Sequence, residues 1–97
     1  MDKLRRINPT ALAFHCPGCE CGHYVQVGAS QEPNWIWNGS MTAPSFQPSI
    51  RCRAEQWEDG VVTPTCCHSF VTDGKIQFLP DSTHALSGQT VEIPIWE

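Results

Sequence analysis

The sequence predicts a mostly β fold, a small antiparallel sheet in a single domain that spans residues 1–97 and includes one short helical turn. Eight prolines and seven glycines among 97 residues favour turns over helices. Short β-prone runs are separated by turn signals, and the Asp73-Gly74 pair between two such runs is typical of a two-residue hairpin. A domain of this length is only marginally stable unaided, so we expect a covalent or metal staple.

The first predicted elements are two strands, residues 11–14 and residues 23–27, which form a hairpin with a cysteine-rich turn at its tip. In the next segment, residues 33–39, Trp35 and Trp37 share one face if the backbone is extended. This segment closes with Asn38-Gly39, a turn signal.

Prolines shape the middle of the chain. Pro44 and Pro48 exclude a helix and predict an extended course up to Ile50. Residues 53–65 are rich in charged and turn-forming types and are predicted to form an exposed loop, with a hairpin tip at Asp59-Gly60.

The last third contains the clearest hairpin signal. Asp73-Gly74 joins two β-prone runs and suits a type I′ turn, in which both residues have positive φ. Asp81 or Ser82 can then cap one short helical turn over residues 83–86. A final strand places Val91, Ile93 and Ile95 on one face.

Charge and hydropathy exclude several classes of function. The formal charge is −4 and the few basic residues are scattered, which is a poor footprint for nucleic acid. No apolar run approaches the roughly 20 residues that a membrane span needs. The N-terminal residues fit no secretory signal. We therefore expect a cytoplasmic protein in a reducing compartment, where closely spaced cysteines are first interpreted as metal ligands.

Cys16 and Cys19 stand in a Cys-Pro-Gly-Cys turn, and their spacing lets both thiolates reach one metal ion. A redox pair is the alternative, but such pairs usually open a helix, whereas residues 20–27 are predicted to continue as a strand. The sequence therefore predicts a zinc-knuckle hairpin, with zinc as the cofactor.

The other half of the site should come from a distant segment, because a structural zinc stabilises most when it joins distant parts of the chain. Neighbouring strand residues point to opposite faces, so Cys67 and His68 are not expected to bind the same ion. The predicted ligands are Cys16, Cys19, Cys67 and His84. The alternates are His68, His23 and Cys21.

The remaining cysteines and the first histidine are assigned no chemistry. Cys52 and Cys66 are expected to be small buried apolar residues. His15 is expected to be a half-buried strand histidine.

The sequence contains CPGC and two longer stretches, WNGSMTAPSFQPSI and CHSFVTDGKIQFLPDSTHALSGQTVEIP. Together they resemble a family of small proteins common in bacteriophages and prophages. Members often bear the name ammonia monooxygenase, a chemistry for which this chain has neither the membrane spans nor the copper-type ligands. The resemblance covers roughly three quarters of the chain. It implies an accessory protein and adds weight to Cys16, Cys19, Cys67, His68 and His84 as a metal and polar core. Relatives also occur beside genes of ubiquitin-like modification, which implies protein partners.

The favoured function is a zinc-binding phage accessory protein that acts as a protein-interaction module, with a host or defence protein as its partner, in the host cytoplasm. Its contact surface would include Trp35, Trp37 and Phe46, unless these aromatics simply form the core.

Two enzymatic functions are the alternatives. A zinc-dependent hydrolase would use a metal-activated water, with Asp81 or His68 as general base. Thiol redox chemistry would use Cys16 and Cys19, or the adjacent Cys66 and Cys67. A cysteine-rich ligand set is more typical of a closed structural zinc site, so the sequence favours a non-enzymatic role.

Overall fold

A computed structural model of the chain describes residues 2–28 and 34–96. Two antiparallel sheets make up the fold, as predicted, and strands account for most of the described residues. Among these residues there is no helix, and so none that could span a bilayer. The strands are β1 (Leu4–Asn8), β2 (Ala11–Cys16), β3 (Cys21–Gln26), β4 (Ile36–Trp37), β5 (Phe46–Glu58), β6 (Val61–Thr72), β7 (Lys75–Phe78) and β8 (Thr90–Glu92).

Each sheet follows the order of the sequence. The first sheet has the order β1-β2-β3 and the second the order β4-β5-β6-β7-β8. Every hydrogen-bonded pair is antiparallel and joins two strands that are consecutive in the sequence. The tightest of these connections are the two-residue turns after β1, β5 and β6, which only antiparallel strands allow.

The core lies between the two sheets. Phe14 and Val25 of the first sheet and Phe46 and Phe78 of the second belong to one buried apolar cluster. Trp35 and Trp37 are half-buried against this cluster, while Ile36 between them is 73% exposed. The two tryptophans therefore share the inner face, as predicted. Phe46 is buried and cannot contribute to an exposed contact surface.

The segment predicted as an exposed loop, residues 53–65, is instead the outer part of β5 and β6. Its side chains are indeed exposed as far as Pro64, but the two strands stay paired up to Glu58 and Val61. The predicted tip is confirmed, since Asp59 and Gly60 both have positive φ. The strand was missed because a ribbon with both faces in water shows no apolar alternation, although Val and Thr in this segment favour extended backbone.

The second Asp-Gly hairpin forms as predicted. Asp73 and Gly74 connect β6 to β7 with φ values of 50° and 79°, as a type I′ turn requires. A side chain at position 74 would also crowd the Cα of Ala43, 3.2 Å from an added Cβ. Glycine is therefore needed there for both conformation and space.

The predicted helical turn after Asp81 is a pair of hydrogen-bonded turns. The N–H of Ser87 donates to the carbonyl of His84, and the N–H of Gln89 donates to that of Leu86. The expected cap, Ser82, hydrogen-bonds through its hydroxyl to the backbone of His68. This segment is therefore tied to β6 and does not start a helix of its own.

The last strand is shorter than predicted. Strand β8 ends at Glu92, and the N–H of Ile93 donates to the carbonyl of Gly74. Ile93 is buried, whereas Ile95 is 46% exposed. Pro94 between them has no N–H to continue the ladder.

Candidate functional site: a cysteine–histidine cluster and a Ser–His–Asp chain

Three cysteines and one histidine meet where the tip of the first sheet approaches β6. One ligand atom from each of Cys16, Cys19, His23 and Cys67 lies within 4.8 Å of the other three. Cys16 and Cys67 are 51 positions apart, and their sulfur atoms are 3.9 Å apart. The cluster therefore joins the two sheets at one point.

Local hairpin geometry positions three of the four members of this cluster. Cys16 ends β2 and pairs with Cys21 at the start of β3. The N–H of Glu20 donates to the carbonyl of Cys16, which closes the turn, and the N–H of Cys19 donates to the Cys16 sulfur over 3.4 Å. His23 lies two residues into β3 beyond Cys21 and shares the face of Cys21. A tight knuckle followed by a strand thus presents three donors from one short stretch.

The electrostatics of the cluster favour a bound cation. A hydrogen bond from Cys67 lowers the pKa of Cys16 to about 3 and raises that of Cys67, while burial raises the pKa of Cys19. Burial alone would lower the pKa of His23, but the neighbouring Cys16 and Cys52 sulfurs raise this pKa to about 11. The site thus holds a thiolate and attracts positive charge, which a divalent metal can supply in place of a proton.

The geometry fits a tetrahedral metal ion. Two sulfurs bound to zinc at about 2.3 Å with tetrahedral angles lie about 3.8 Å apart, close to the separation of the Cys16 and Cys67 sulfurs. The Nδ1 of His23 contacts the Cys52 sulfur over 3.3 Å. Its Nε2 is buried without a hydrogen-bond partner among the described residues, as is the Nε2 of His84, and such a nitrogen is available as a ligand. Only His23 of the two lies within the cluster of described ligand atoms. These four residues could hold a metal ion.

The structure brings together three of the four predicted ligands, with the alternate His23 as the fourth member of the cluster. His84 lies beside the knuckle and does not belong to the cluster. Its Nδ1 accepts a hydrogen bond from the N–H of Leu86, and its ring lies against Gly18, where an added Cβ would be 2.5 Å from Nε2. Cys21, another alternate, is exposed.

His68, the remaining alternate, belongs to a different constellation. Its Nε2 lies 2.9 Å from the hydroxyl oxygen of Ser49. Its Nδ1 lies 3.0 Å and 3.2 Å from the two carboxylate oxygens of Asp81. Serine, histidine and aspartate thus form a continuous hydrogen-bonded chain, in the order and at the distances found in serine hydrolases.

Irregular backbone places Ser49 in this chain. The pairing of β5 with β6 shifts register between Phe46 and Ile50, and Ser49 lies within this irregular stretch. Bulges of this kind redirect side chains beside functional sites. The carbonyl of Ser49 accepts a hydrogen bond from the indole N–H of Trp35, which fixes the backbone behind the hydroxyl.

Asp81 is positioned by the segment that follows β7. The N–H of Leu79 donates to the carbonyl of His68, and the hydroxyl of Ser82 bonds to both the N–H and the carbonyl of that histidine. Partial desolvation would raise the pKa of Asp81, but the hydrogen bond from His68, its charge and that of Arg51 lower it below the usual value. Asp81 is therefore held as a carboxylate that orients the His68 ring.

The metal cluster and the Ser–His–Asp chain lie on opposite faces of β6. Cys67 and His68 are neighbours, and strand side chains alternate. The same alternation was the reason for predicting from the sequence that Cys67 and His68 would not bind one ion together. Cys67 is buried in the metal cluster, whereas His68 is half-buried beside an exposed carboxylate.

Sequence reasoning named His68 as an alternate metal ligand, named Asp81 or His68 as the general base for a zinc-activated water, and missed Ser49. A signal was present, because all three members lie in stretches that carry the family resemblance: Ser49 in WNGSMTAPSFQPSI, and His68 and Asp81 in the run that begins at Cys67. The G-x-S-x-G pattern of nucleophile elbows does not surround Ser49, so no local motif marks the serine.

The other assignments of cysteine and histidine are mostly as expected. His15 is half-buried, with its ring 6.5 Å from that of Trp96. Cys66 and Cys52 are half-buried. Cys52, however, contacts His23 and thereby supports the cluster.

Comparison with known protein families identifies the chain. Residues 3–79, which are 77 of its 97 residues, match the family model described as "Bacterial ubiquitination-like system serine protease (BubE)". The chain belongs to this family. Neither the curated proteins nor the solved structures contain a match. The family is bacterial, and the phage origin inferred from the resemblance stays a prediction.

Proposed function

We propose that this chain is a serine protease of a bacterial ubiquitination-like system, with Ser49 as nucleophile, His68 as general base and Asp81 as the residue that orients His68. The observation that carries the proposal is the hydrogen-bonded chain from the Ser49 hydroxyl through both nitrogens of His68 to the Asp81 carboxylate. The printed description of the matched family agrees with this chemistry.

Each residue has a defined part in the reaction. The Ser49 oxygen attacks the carbonyl carbon of the scissile bond while the Nε2 of His68 takes the hydroxyl proton. The protonated ring then gives this proton to the leaving amine or alcohol, so that the bond to the acyl carbon breaks and an acyl-enzyme forms. A water molecule then attacks the acyl carbon while His68 takes one of its protons, and the ring gives this proton to the Ser49 oxygen as the acyl–oxygen bond breaks. The acyl group leaves as a carboxylic acid and Ser49 is restored. Asp81 accepts the Nδ1–H bond throughout and stabilises the imidazolium.

The substrate class follows from this chemistry and from the family. A serine nucleophile cleaves amides and esters, and ubiquitination-like systems join a protein through its terminal carboxyl group. We therefore propose that the acyl part of the substrate is the C-terminal tail of a ubiquitin-like protein. The bond broken joins that tail to an extension or to a modified target.

The metal cluster has a structural role in this proposal. Cys16, Cys19, His23 and Cys67 provide four protein ligands, which fill a tetrahedral zinc site and leave no position for a reacting water. Zinc would fasten the knuckle of the first sheet to β6 and so hold the strand from which His68 projects. The protein partner expected from the sequence becomes the substrate in this proposal.

Covalent labelling with a fluorophosphonate tests the proposed nucleophile. We expect one label per chain, located on Ser49 by peptide mass spectrometry. Ser49→Ala should abolish labelling and His68→Gln should slow it by at least about a thousandfold, whereas the control Ser40→Ala should be labelled like the unmodified protein.

Hydrolysis of a small activated ester separates this proposal from a zinc hydrolase. Activity that survives in Ser49→Ala and disappears when a chelator removes the metal would contradict the serine mechanism. Activity lost in Ser49→Ala, with bound zinc unchanged, would support it.

A further inference from the structure

The outer halves of β5 and β6 form a two-stranded arm that projects beyond the rest of the second sheet. Strand β4 pairs with β5 only at Phe46 and Gln47, and β7 pairs with β6 only from Ser69 onward. Every residue from Arg53 to Pro64 is exposed. A two-stranded ribbon is marginally stable in water by itself. A partner that binds to an arm of this length would stabilise it.

One face of the arm is the more apolar of the two. Trp57 is 71% exposed and pairs directly with Val62, which is 40% exposed. Pro64, also exposed, lies two residues further along β6 on the same face. The opposite face carries Gln56, Glu58 and Thr63, with Val61 (61% exposed) as its large apolar side chain. A tryptophan this exposed beside two other apolar side chains is a feature of contact surfaces.

The apolar face of the arm is continuous with the face that carries His68. Arg51 pairs with His68, and Trp57 lies six residues further along β5, so Arg51 and Trp57 share a face with the catalytic histidine. At about 3.3 Å per residue, Trp57 lies roughly 20 Å from Arg51. This distance suits a folded domain whose extended tail runs back to Ser49.

The charge of the arm limits the partner. Glu55 lies on the same face as Trp57 and pairs with Pro64, and Glu58 and Asp59 lie at the tip. Apart from Arg53 at its base, the arm contains no lysine or arginine. Two copies of the arm would bring like charges together, which disfavours dimerisation through this face. A surface with an apolar centre and a basic rim is the complementary partner.

We infer that the arm face formed by Trp57, Val62 and Pro64 is an exosite for the folded part of the protein substrate, whose tail is cleaved at Ser49. The inference rests on the proposed function, which requires a protein substrate. The exosite binds an apolar patch with basic residues around it, and the tail then follows the face of β5 and β6 past Arg53 and Arg51. Substrate recognition is thereby divided between a folded body and a tail.

Binding to an inactive variant tests the exosite separately from the chemistry. Ser49→Ala is titrated calorimetrically with the ubiquitin-like protein of the same system, extended at its C-terminus by a short peptide. We expect the double variant Ser49→Ala/Trp57→Ala to bind at least tenfold more weakly than Ser49→Ala alone. In Ser49→Ala, which keeps Trp57, a higher salt concentration should also weaken binding. Tyr24→Ala, which removes an equally exposed aromatic residue (70% exposed) from β3, should change binding less than twofold.

Cleavage kinetics give a second measurement with the active protein. The ratio of kcat/KM for the extended ubiquitin-like protein to kcat/KM for a peptide of the same tail sequence should fall at least tenfold in Trp57→Ala. Equal losses on both substrates would overturn the exosite, as would equal effects of Trp57→Ala and Tyr24→Ala. A dimer that Trp57→Ala dissolves in sedimentation would assign the face to a second copy and overturn it as well. If Ser49 proves not to be the nucleophile, the calorimetric result still decides whether the arm binds.

Discussion

The two faces of β6 at Cys67 and His68 differ in almost every physical respect although the residues are adjacent. Cys67 is 3% exposed and lies among sulfur and nitrogen donors of the β2–β3 hairpin, of which Cys16 and His23 are buried and Cys19 is half-buried. His68 lies between the half-buried Ser49 of β5 and the exposed Asp81 of the segment that follows β7. Burial suits a closed metal site, because it excludes water and competing protons. Exposure suits a nucleophile that must meet a substrate, so one strand serves stability on one face and chemistry on the other.

This comparison predicts that activity and metal binding can be removed independently, by substitution of His68 and of Cys67 respectively. The largest effect is expected for His68→Gln, which removes the general base while the strand stays intact. We expect kcat to fall by about 10⁶, as for loss of the base in a triad that acts as a unit, with bound zinc unchanged. His15→Gln, a half-buried histidine on β2, is the control. Zinc lost in His68→Gln would show that the two faces are not independent.

The next effect concerns the residue that orients the base. Asp81→Asn keeps the shape of the side chain but favours the wrong tautomer of His68, and we expect kcat to fall by about 10⁴. Asp73→Asn, at a turn position that asparagine accepts, should retain activity. A loss below about tenfold in Asp81→Asn would mean that the carboxylate does not orient the ring.

On the metal face, Cys67→Ser removes the one predicted ligand that β6 contributes, so we expect the variant to lose bound zinc. The two sheets then lose the ion that joins them, and the free energy of unfolding should fall by more than about 4 kcal/mol. Thermal unfolding and elemental analysis measure the two effects. Cys66→Ser changes the adjacent thiol, which lies outside the cluster, and should keep the metal. A metal-free wild-type protein with unchanged stability would refute the structural role.

A smaller effect is expected at the knuckle. Gly18→Ala places a Cβ within 2.4–2.7 Å of three ring atoms of His84, and such overpacking costs about 1–3 kcal/mol. Gly22→Ala, whose Cβ would meet nothing nearer than 3.5 Å, is the matched control. The second change His84→Ala should relieve the clash. Equal Tm values for Gly18→Ala and Gly22→Ala would contradict this packing.

The smallest effect is a dependence on pH. The folded-state pKa of Asp81 is lowered, chiefly through the hydrogen bond from His68. The stabilisation is therefore present above the usual aspartate pKa of about 4 and is lost as the pH falls through the folded-state value. Carboxyl NMR should give a midpoint below 4 that returns toward 4 in His68→Gln. An unchanged midpoint in that variant would show that His68 is not the cause.

Most of the strands follow from local signals. The Asp73-Gly74 turn and the hairpin around Cys-Pro-Gly-Cys were predictable because turn geometry and strand pairing act over a few residues. The outer part of β5 and β6 was not predictable from local signals, since a ribbon with water on both faces has the same composition as an exposed loop. The prediction of a helical turn was wrong for a different reason: the hydroxyl of Ser82 hydrogen-bonds to β6 and does not cap a helix.

The candidate site divides in the same way. By itself the sequence determined the Cys16–Cys19 knuckle and the opposite orientation of Cys67 and His68, because spacing within a turn and alternation along a strand are local properties. Only the tertiary structure decided that His23 and not His84 joins the cluster, and that Ser49 and Asp81 meet His68. Those contacts join separate segments, and their distances depend on strand register, the irregular stretch before Ile50 and the packing of one sheet on the other.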